Sequence, residues 1–565
     1  MEKLSSYERL IQKGSPFELQ DAVIKGIPCK IFPRGPQTLR DVFMKAASFA
    51  GREFIIKDDS RLTFGQAFQR GNHFALFLRQ KYDIKKGSRV ALMAWTGPEC
   101  AVVFMVLCFA GAVPIVIPAD MEGRAALNVI EITNCVLVVT DLPSAGKINV
   151  SGIEPPVVIV EMRRPDTVSY TGHESLAGFS IFNLSDVPDD KNVTCDEICV
   201  PTPEDDALIS FTSGTTGAPK GVVLSHRNMT TGLMNMMLGG FLMSFRAAMD
   251  KQKQPPNAQP CSLLLSPFSH IGGYSQLMLM CYLGGKIVLM QEWDAQSAIA
   301  LIENERVRSL SGLSPAMATD LLHTNQSTDS LRSLTNLNIH GVALHRKFIS
   351  ELANEFSHIS LGTGYGMTET CGAVSVASGM DLLDNSEFNG QVLPSVDIKI
   401  VDHDGHEAAR GNRGEIWVRG AMVMQGYCSG QDGSNLMLED GWLKTGDLGY
   451  VDHAGNLYVA GRLDSRQIGK KQVSFSELER LICELNAIDE AVVLEITDSG
   501  LGAGITVAIV PNRAIQIDKN DLIREVSDYL KPYTDGVSVV IMNDIPRTAS
   551  GKADRRALQM QIKEG

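Results

Sequence analysis

The sequence predicts an α/β fold: a large N-terminal domain of stacked α/β layers plus a β-rich subdomain, followed by a small α+β C-terminal domain. Three observations predict it. Short apolar runs of strand length alternate with helical stretches between residues 90 and 211. Two later segments, D-H-D-G at 402–405 and D-H-A-G at 452–455, mark tight turns between strand-like runs. After Arg462 the pattern changes to the single helices and strands of a compact module. A chain of 565 residues suits about three to five compact units at ~100–200 residues each. With 44% hydrophobic and 21% charged residues it has material for a core, which excludes a disordered or fibrous chain.

The first strands are expected at 90–93, 115–117, 136–139, 157–160 and 208–211. Between the first two lies an uninterrupted apolar run, 100–118, about as long as a bilayer span. Gly111 and Pro114 divide it, so a buried helix through Ala110, a Gly-Ala turn and a short Val/Ile strand are expected, not a membrane-crossing helix. Strands of the β-rich part are expected at 397–402, 414–418 and 455–459. The C-terminal module is expected to hold a helix over S-E-L-E-R-L-I-C-E-L (476–485), strands at 490–496 and 504–510, and a helix near 521–530.

A net charge of −13 opposes a surface for nucleic acid or anionic lipid. The eleven cysteines are scattered, and the closest pair, Cys195 and Cys199, has no second pair at metal-ligand spacing. Reduced thiols and a cytoplasmic location are therefore expected. The opening M-E-K-L-S-S-Y-E-R-L lacks the apolar core of a signal peptide.

Residues 212–221 read T-S-G-T-T-G-A-P-K-G. The hydroxyls of Thr212, Ser213, Thr215 and Thr216 and the backbone N–H groups at Gly214 and Gly217 are donors for phosphate oxygens, and Lys220 adds a compact positive charge. Gly214, Gly217 and Lys220 do not have the Walker spacing G-x-x-x-x-G-K-[ST], so this is a different triphosphate loop. Further motifs follow in order: S-P-F-S-H-I-G-G (266–273), G-Y-G-M-T-E-T (364–370), W-L-K-T-G-D (442–447), G-R-L-D (461–464) and P-R-T-A-S-G-K (546–552). L-T-F-G-Q (62–66) and G-S-R-V-A-L (87–92) precede them.

Together these motifs resemble the acyl-adenylate-forming superfamily of acyl-CoA synthetases, amino-acid adenylation domains and beetle luciferases, over nearly the whole chain. The resemblance implies ATP-dependent, Mg²⁺-dependent conversion of a carboxylic acid to an acyl-AMP with release of pyrophosphate. It implies a domain spanning 1–462 that holds ATP and the acid, and a mobile domain spanning 463–565, rotating about a hinge at Asp464. Lys552 is similar to the lysine that bridges the carboxylate and the α-phosphate, where a positive charge meets the charge developing in the transition state. Glu369 resembles the carboxylate that holds Mg²⁺, with Thr212 as a second contact to the metal and Thr368 as a phosphate ligand. Within the stretch Thr363, Gly364, Tyr365 and Gly366, which resembles the nucleotide segment, Tyr365 matches the residue that stacks on adenine. The backbone of Gly341, Val342 and Ala343 lies near the other side of the base. Asp447 resembles the carboxylate that accepts both ribose hydroxyls, Arg462 a nearby ribose or phosphate contact, and His270 the residue flanking the acyl site as a gate.

Each of these residues also has an ordinary structural reading. Lys552 stands among Arg547, Arg555 and Arg556 as in a solvated basic tail. Tyr365 suits a core aromatic, Asp447 a turn residue in T-G-D, and His270 a satisfied core histidine. Around His270 the chain has Phe268, Ser269 and Ile271, without the aspartate that would pair with a buried α-ammonium, so the acid is expected to be a fatty or other non-amino acid. Met234, Met236, Met237, Met243, Met278 and Met280 flank this motif, either lining an apolar acyl tunnel or packing as core. Only a short tail follows Lys552, so the acyl acceptor is expected to be a separate molecule.

Coenzyme A is the expected acceptor. The segment S-R-Q-I-G-K-K-Q-V (465–473) departs from the lysine and glycine-aromatic pair of thioester-forming relatives, which keeps a separate carrier protein as the alternative. H-G-V-A (340–343) likewise stands where many relatives have G-G-A. Luciferase-like oxygenation of the adenylate would use the same residues, whereas the presence of Glu369, Asp447 and Lys552 opposes a non-catalytic nucleotide sensor. Nucleic acid is not an expected partner, no transmembrane segment is expected, and peripheral membrane contact stays open because lipid substrates partition there.

Overall fold

The structure, a computed structural model, describes residues 8, 10–121, 123–145, 155–161, 180–184, 200–212, 220–248, 258–290, 292–324, 330–339, 346–356, 358–378, 381, 387–428, 438–463, 466–468, 471–473, 475–496, 504–512, 515, 517–532, 537–547 and 553–564. Strand β1 (Arg89–Met93) leads into helix α1 (Pro98–Phe109) and returns as strand β2 (Val113–Val116), parallel to β1 with Arg89 opposite Val113. Every residue of α1 from Cys100 to Cys108 is buried, so this part of the helix has no polar face and its sequence is continuously apolar. Pro98 occupies the first turn, where its missing N–H costs nothing. The run 100–118 is therefore the helix–turn–strand unit expected, and no helix among the described residues is long and apolar enough to cross a membrane.

Strand β3 (Asp206–Thr212) lies parallel to β2, and β4 (Lys220–Ser225) runs back antiparallel to β3. With Leu137–Thr140, Val157–Glu161 and Ser180–Asn183 beyond β1, they belong to a sheet of eight strands. Helix α2 (His226–Ala248) follows β4. A second sheet has at its centre β5 (Cys261–Leu264), β6 (Ser309–Leu313), β7 (Asn336–Ile339) and β8 (Ser360–Met367), all parallel. Helix α3 (Ile271–Leu283) follows β5. The sheet then turns antiparallel at β9 (Gly372–Ser378) and continues through Phe388–Val392 into the β-rich part.

The two-residue strand β10 (Gly426–Tyr427) crosses back to pair with β4 of the first sheet. Strands β11 (Trp442–Val451) and β12 (Asn456–Arg462) complete the β-rich part with Asp397–Val401 and Gly414–Arg419. Residues of both sheets and of the helices between them share one core, for example Leu208, Leu264, Phe104 and Tyr274. The rings of Phe104 and Tyr274 stack at 4.1 Å and tie α1 to α3.

After β12 come a short hairpin of Arg466–Ile468 and Lys471–Val473, then helix α4 (Phe475–Ile482). Strands β13 (Ile488–Ile496) and β14 (Gly504–Pro511), helix α5 (Lys519–Leu530), strand β15 (Val537–Ile541) and helix α6 (Arg555–Glu564) follow. The helical period places Leu522, Val526 and Leu530 of α5 on one buried stripe. This unit has cores of its own: Leu478, Ile482, Val493, Val507 and Val526 in one, Leu494, Ala508, Ile545 and Leu558 in the other.

The strands and helices stand within a few residues of their expected positions. Strand β12, expected at 455–459, is observed at Asn456–Arg462, because pairing with β11 continues until Arg462 lies opposite Asp447; helix α4, expected at 476–485, ends at Ile482. Of the methionines flanking the histidine motif, Met278 and Met280 are buried in the shared core, and Met234 packs with Phe17, Phe32 and Leu242. These three are core residues, as flexible thioethers filling irregular gaps, and not the lining of a tunnel.

Candidate active site

The segment 212–221 connects the end of β3 to the start of β4. Ser213, Gly214, Thr215, Thr216 and Gly217 lie outside the described residues, but the loop's two ends, Thr212 and Lys220, pair directly across the antiparallel ladder. Because β3 is parallel to β2, the loop opens at the carboxyl end of parallel strands, where α/β sheets form their ligand crevices.

The segment G-Y-G-M-T-E-T forms the end of β8 and a single 3₁₀ turn, Thr368–Thr370. Its glycines are required by close approach of β9: a Cβ on Gly364 would stand 2.3 Å from the Ser375 carbonyl oxygen, and one on Gly366 2.1 Å from that of Gly372. Thr363 is buried within β8. The Thr370 hydroxyl closes the turn, accepting from the Met367 N–H at 3.0 Å and donating to the Gly372 carbonyl at 2.8 Å. Thr368 and Glu369 are thereby held at the tip of the β8–β9 connection.

Asp447 sits inside β11, not in a turn, so the turn reading of T-G-D fails. The Thr445 hydroxyl donates to the Ile416 carbonyl at 2.7 Å and accepts from the Asp447 N–H at 3.1 Å, which lets Gly446 take φ +72° without breaking the strand. The Tyr365 hydroxyl donates to Asp447 Oδ2 at 2.6 Å, and Arg462 donates to Oδ1 at 3.0 Å. Burial pushes the Asp447 carboxyl above the ordinary aspartate range, against the pull of Arg462 and the Tyr365 hydroxyl. Burial and the Asp447 charge together push the Tyr365 phenol well up, so it remains a donor.

His270 is the N-cap residue of α3, in extended conformation (φ −110°, ψ 151°), and its side chain makes no capping bond. It is partly exposed, which does not fit a core histidine. The preceding Phe268 is fully buried, and its N–H donates to the Thr96 hydroxyl at 3.0 Å, anchoring the motif to the loop after β1. Gly273 is required there, because a Cβ would stand 2.2 Å from the Pro267 carbonyl oxygen.

Tyr427 was not among the residues singled out from the sequence. Its hydroxyl donates to Glu369 Oε1 at 2.8 Å, and its ring centroid lies 5.4 Å from Lys220 Nζ. A two-residue strand carries no periodicity that could have pointed to it. The structure thus brings together Tyr365, Asp447 and Arg462 in one cluster, and Glu369, Tyr427 and Lys220 in another. Lys552, Gly341, Val342, Ala343 and the hinge position Asp464 lie outside the described residues.

Two family profiles match the chain: AMP-binding enzyme over residues 42–428, and AMP-binding enzyme C-terminal domain over residues 477–552. The chain is 30% identical over 363 residues to 4-coumarate–CoA ligase-like 6 of Arabidopsis thaliana, an alignment that spans 63% of this chain and 62% of that protein. It is 26% identical over 542 residues to the 3-[(3aS,4S,7aS)-7a-methyl-1,5-dioxo-octahydro-1H-inden-4-yl]propanoyl:CoA ligase of Rhodococcus jostii (strain RHA1), spanning 94% of this chain and 99% of that one. In fold it is similar to a benzoate CoA ligase from Burkholderia xenovorans LB400, with TM-score 0.74, 19% identity, and coverage of 92% of this chain and 99% of that one.

Proposed function

Since the chain belongs to the AMP-binding enzyme family, we propose that it joins a carboxylic acid without an α-amino group to AMP, using ATP and releasing pyrophosphate, and then transfers the acyl group to coenzyme A. The observation that carries this reading is the convergence of a buried carboxylate with an aromatic ring at Asp447 and Tyr365, and of a second carboxylate with a loop lysine at Glu369 and Lys220. Each carboxylate oxygen has two acceptor directions, so Asp447 can receive ribose hydroxyls while it keeps Tyr365 and Arg462. Glu369 offers the hard oxygen that Mg²⁺ takes, and the ion would neutralise phosphate charge.

Within this scheme Lys220 and the loop hydroxyls bind the triphosphate, Thr368 contacts a phosphate, and the backbone of Gly341–Ala343 lies against the base. Lys552 meets the charge developing between the carboxylate and the α-phosphate, and the unit that carries it turns about Asp464 between the two half-reactions. His270 flanks the acyl group. The relatives named above, both named as acid–CoA ligases or as ligase-like, support the choice of an acid and coenzyme A.

The test is pyrophosphate release by the full chain against a panel of aliphatic and aryl acids, with and without coenzyme A. Release with at least one acid, followed by a coenzyme A thioester, is the expected result. No release with any acid overturns adenylation. Release without a thioester transfers the second step to a separate carrier protein.

A further inference from the structure

Strand β10 is too short to stand alone, and it is held from both sides. Val222 pairs with Tyr427 and Val223 with Gly426. On β4 the Gln425 N–H donates to the Val223 carbonyl at 2.9 Å, and the Cys428 N–H to the Gly221 carbonyl at 2.7 Å. On the other side the Met424 N–H donates to the Glu369 carbonyl at 2.9 Å. One short segment, 424–428, is therefore hydrogen-bonded both to the strand that begins at Lys220 and to the turn that carries Glu369.

The Tyr427 side chain repeats this bridge within the site. Its hydroxyl occupies Glu369 Oε1 at 2.8 Å, which restricts rotation of the carboxylate and leaves Oε2 for another partner. The Lys220 ammonium stands 5.4 Å from its ring centroid, within the range of a cation–π contact. From this geometry we propose that Tyr427 is a positioning residue, which orients the Glu369 carboxylate toward the metal and holds the Lys220 ammonium at a set distance from it. The proposal rests on the roles given above to Glu369 and Lys220.

The ring and the hydroxyl act on different partners, and two substitutions separate them. Tyr427→Phe keeps the ring and removes the donor. Tyr427→Leu removes both. ATP binding to the full chain is measured by titration calorimetry with Mg²⁺ and with a chelator, alongside the Mg²⁺ dependence of pyrophosphate exchange and the melting temperature of the free protein. In Tyr427→Phe the Mg²⁺ concentration for half-saturation rises roughly 10- to 100-fold, the usual effect of losing a bond that orients a metal ligand. Its metal-free ATP affinity and melting temperature stay at the wild-type values.

Tyr427→Leu loses, in addition, about two- to fivefold in metal-free ATP affinity, because Lys220 no longer has its aromatic partner. Acyl-AMP supplied to either variant reacts with coenzyme A as in wild type. A wild-type Mg²⁺ requirement in Tyr427→Phe, or an equal loss of ATP affinity with and without the metal, overturns the proposal. Wild-type protein whose ATP binding is indifferent to Mg²⁺ overturns the metal role of Glu369, and this proposal with it.

Discussion

His226 and Asp447 show how the surroundings of single side chains give them a measurable signature. His226 is fully buried at the start of α2, and its Nδ1 accepts the Leu39 N–H at 3.1 Å, a bond that requires an unprotonated nitrogen. Burial lowers its pKa to about 4. The unfolded chain has a histidine pKa of ~6.5, so it binds the proton first as pH falls, and folding loses about 3 kcal/mol between roughly pH 6.5 and 4. Above that window the contribution is complete. The thermal midpoint should therefore drop from pH 7 to pH 5, and His226→Gln should flatten that drop; an identical drop in the variant refutes the assignment. At Asp447 the charge matters more than the shape. Asp447→Asn keeps the volume but removes the partner of Arg462, and a charged hydrogen bond of ~1.5–3 kcal/mol corresponds to roughly 10- to 100-fold weaker ATP binding. Calorimetric titration showing unchanged affinity removes the ribose role.

Within elements, the β8–β9 pair depends on backbone approach that only glycine permits. Gly366→Ala places a methyl 2.1 Å from the Gly372 carbonyl oxygen, so the strands must separate where Thr368 and Glu369 are presented. The expected cost is about 1–3 kcal/mol of overpacking, together with weakened ATP binding. Gly405→Ala is the control, since it has φ +83° and no heavy atom within 4 Å of the added carbon. It should lose only ~1 kcal/mol of backbone strain and bind ATP normally. Melting curves and titrations on both variants decide the matter: equal effects on ATP binding would mean that close approach to β9 is irrelevant to the site. Strands Arg466–Ile468 and Lys471–Val473 show the opposite case, in which an unusual sequence forms an ordinary antiparallel pair, with Ile468 opposite Lys471.

Over the whole molecule, the C-terminal unit has separate cores and meets the larger part where α4 packs against β12. There Arg480 donates to Glu387 Oε1 at 3.2 Å while Arg413 donates to Oε2 at 3.1 Å. The Arg480 and Glu387 side chains retain only 17% and 12% of their exposure, so solvent screens this pair less than a surface one. Removing one partner of a buried pair leaves a poorly solvated charge behind. Arg480→Gln should speed hydrogen exchange in β12 and α4, while β13, β14 and β15 keep their protection. Unchanged exchange at β12 and α4 would show that the pair does not hold the two parts together.

The layered α/β fold, the β-rich part and the C-terminal module were legible because each rests on local periodicity and turn chemistry. Helix α1 is continuously apolar from Cys100 on and split from β2 by Gly111, and α5 has its apolar stripe at helical spacing. The residues of the sequence motifs were legible as types suited to phosphate, metal and aromatic contacts. Their partners were not. Asp447 meets Tyr365 across 82 positions of sequence, and Tyr427 meets Glu369 across 58, contacts that no local pattern encodes. Sequence also left the methionines divided between tunnel and core, and burial of Met234, Met278 and Met280 resolved it for them. Chain-local chemistry thus settled which elements form and which side chains carry charge. Only the tertiary structure, which pairs β10 with β4 and brings Tyr427 to Glu369 and Tyr365 of β8 to Asp447 of β11 across strands that are not neighbours, settled which of those charges face one another.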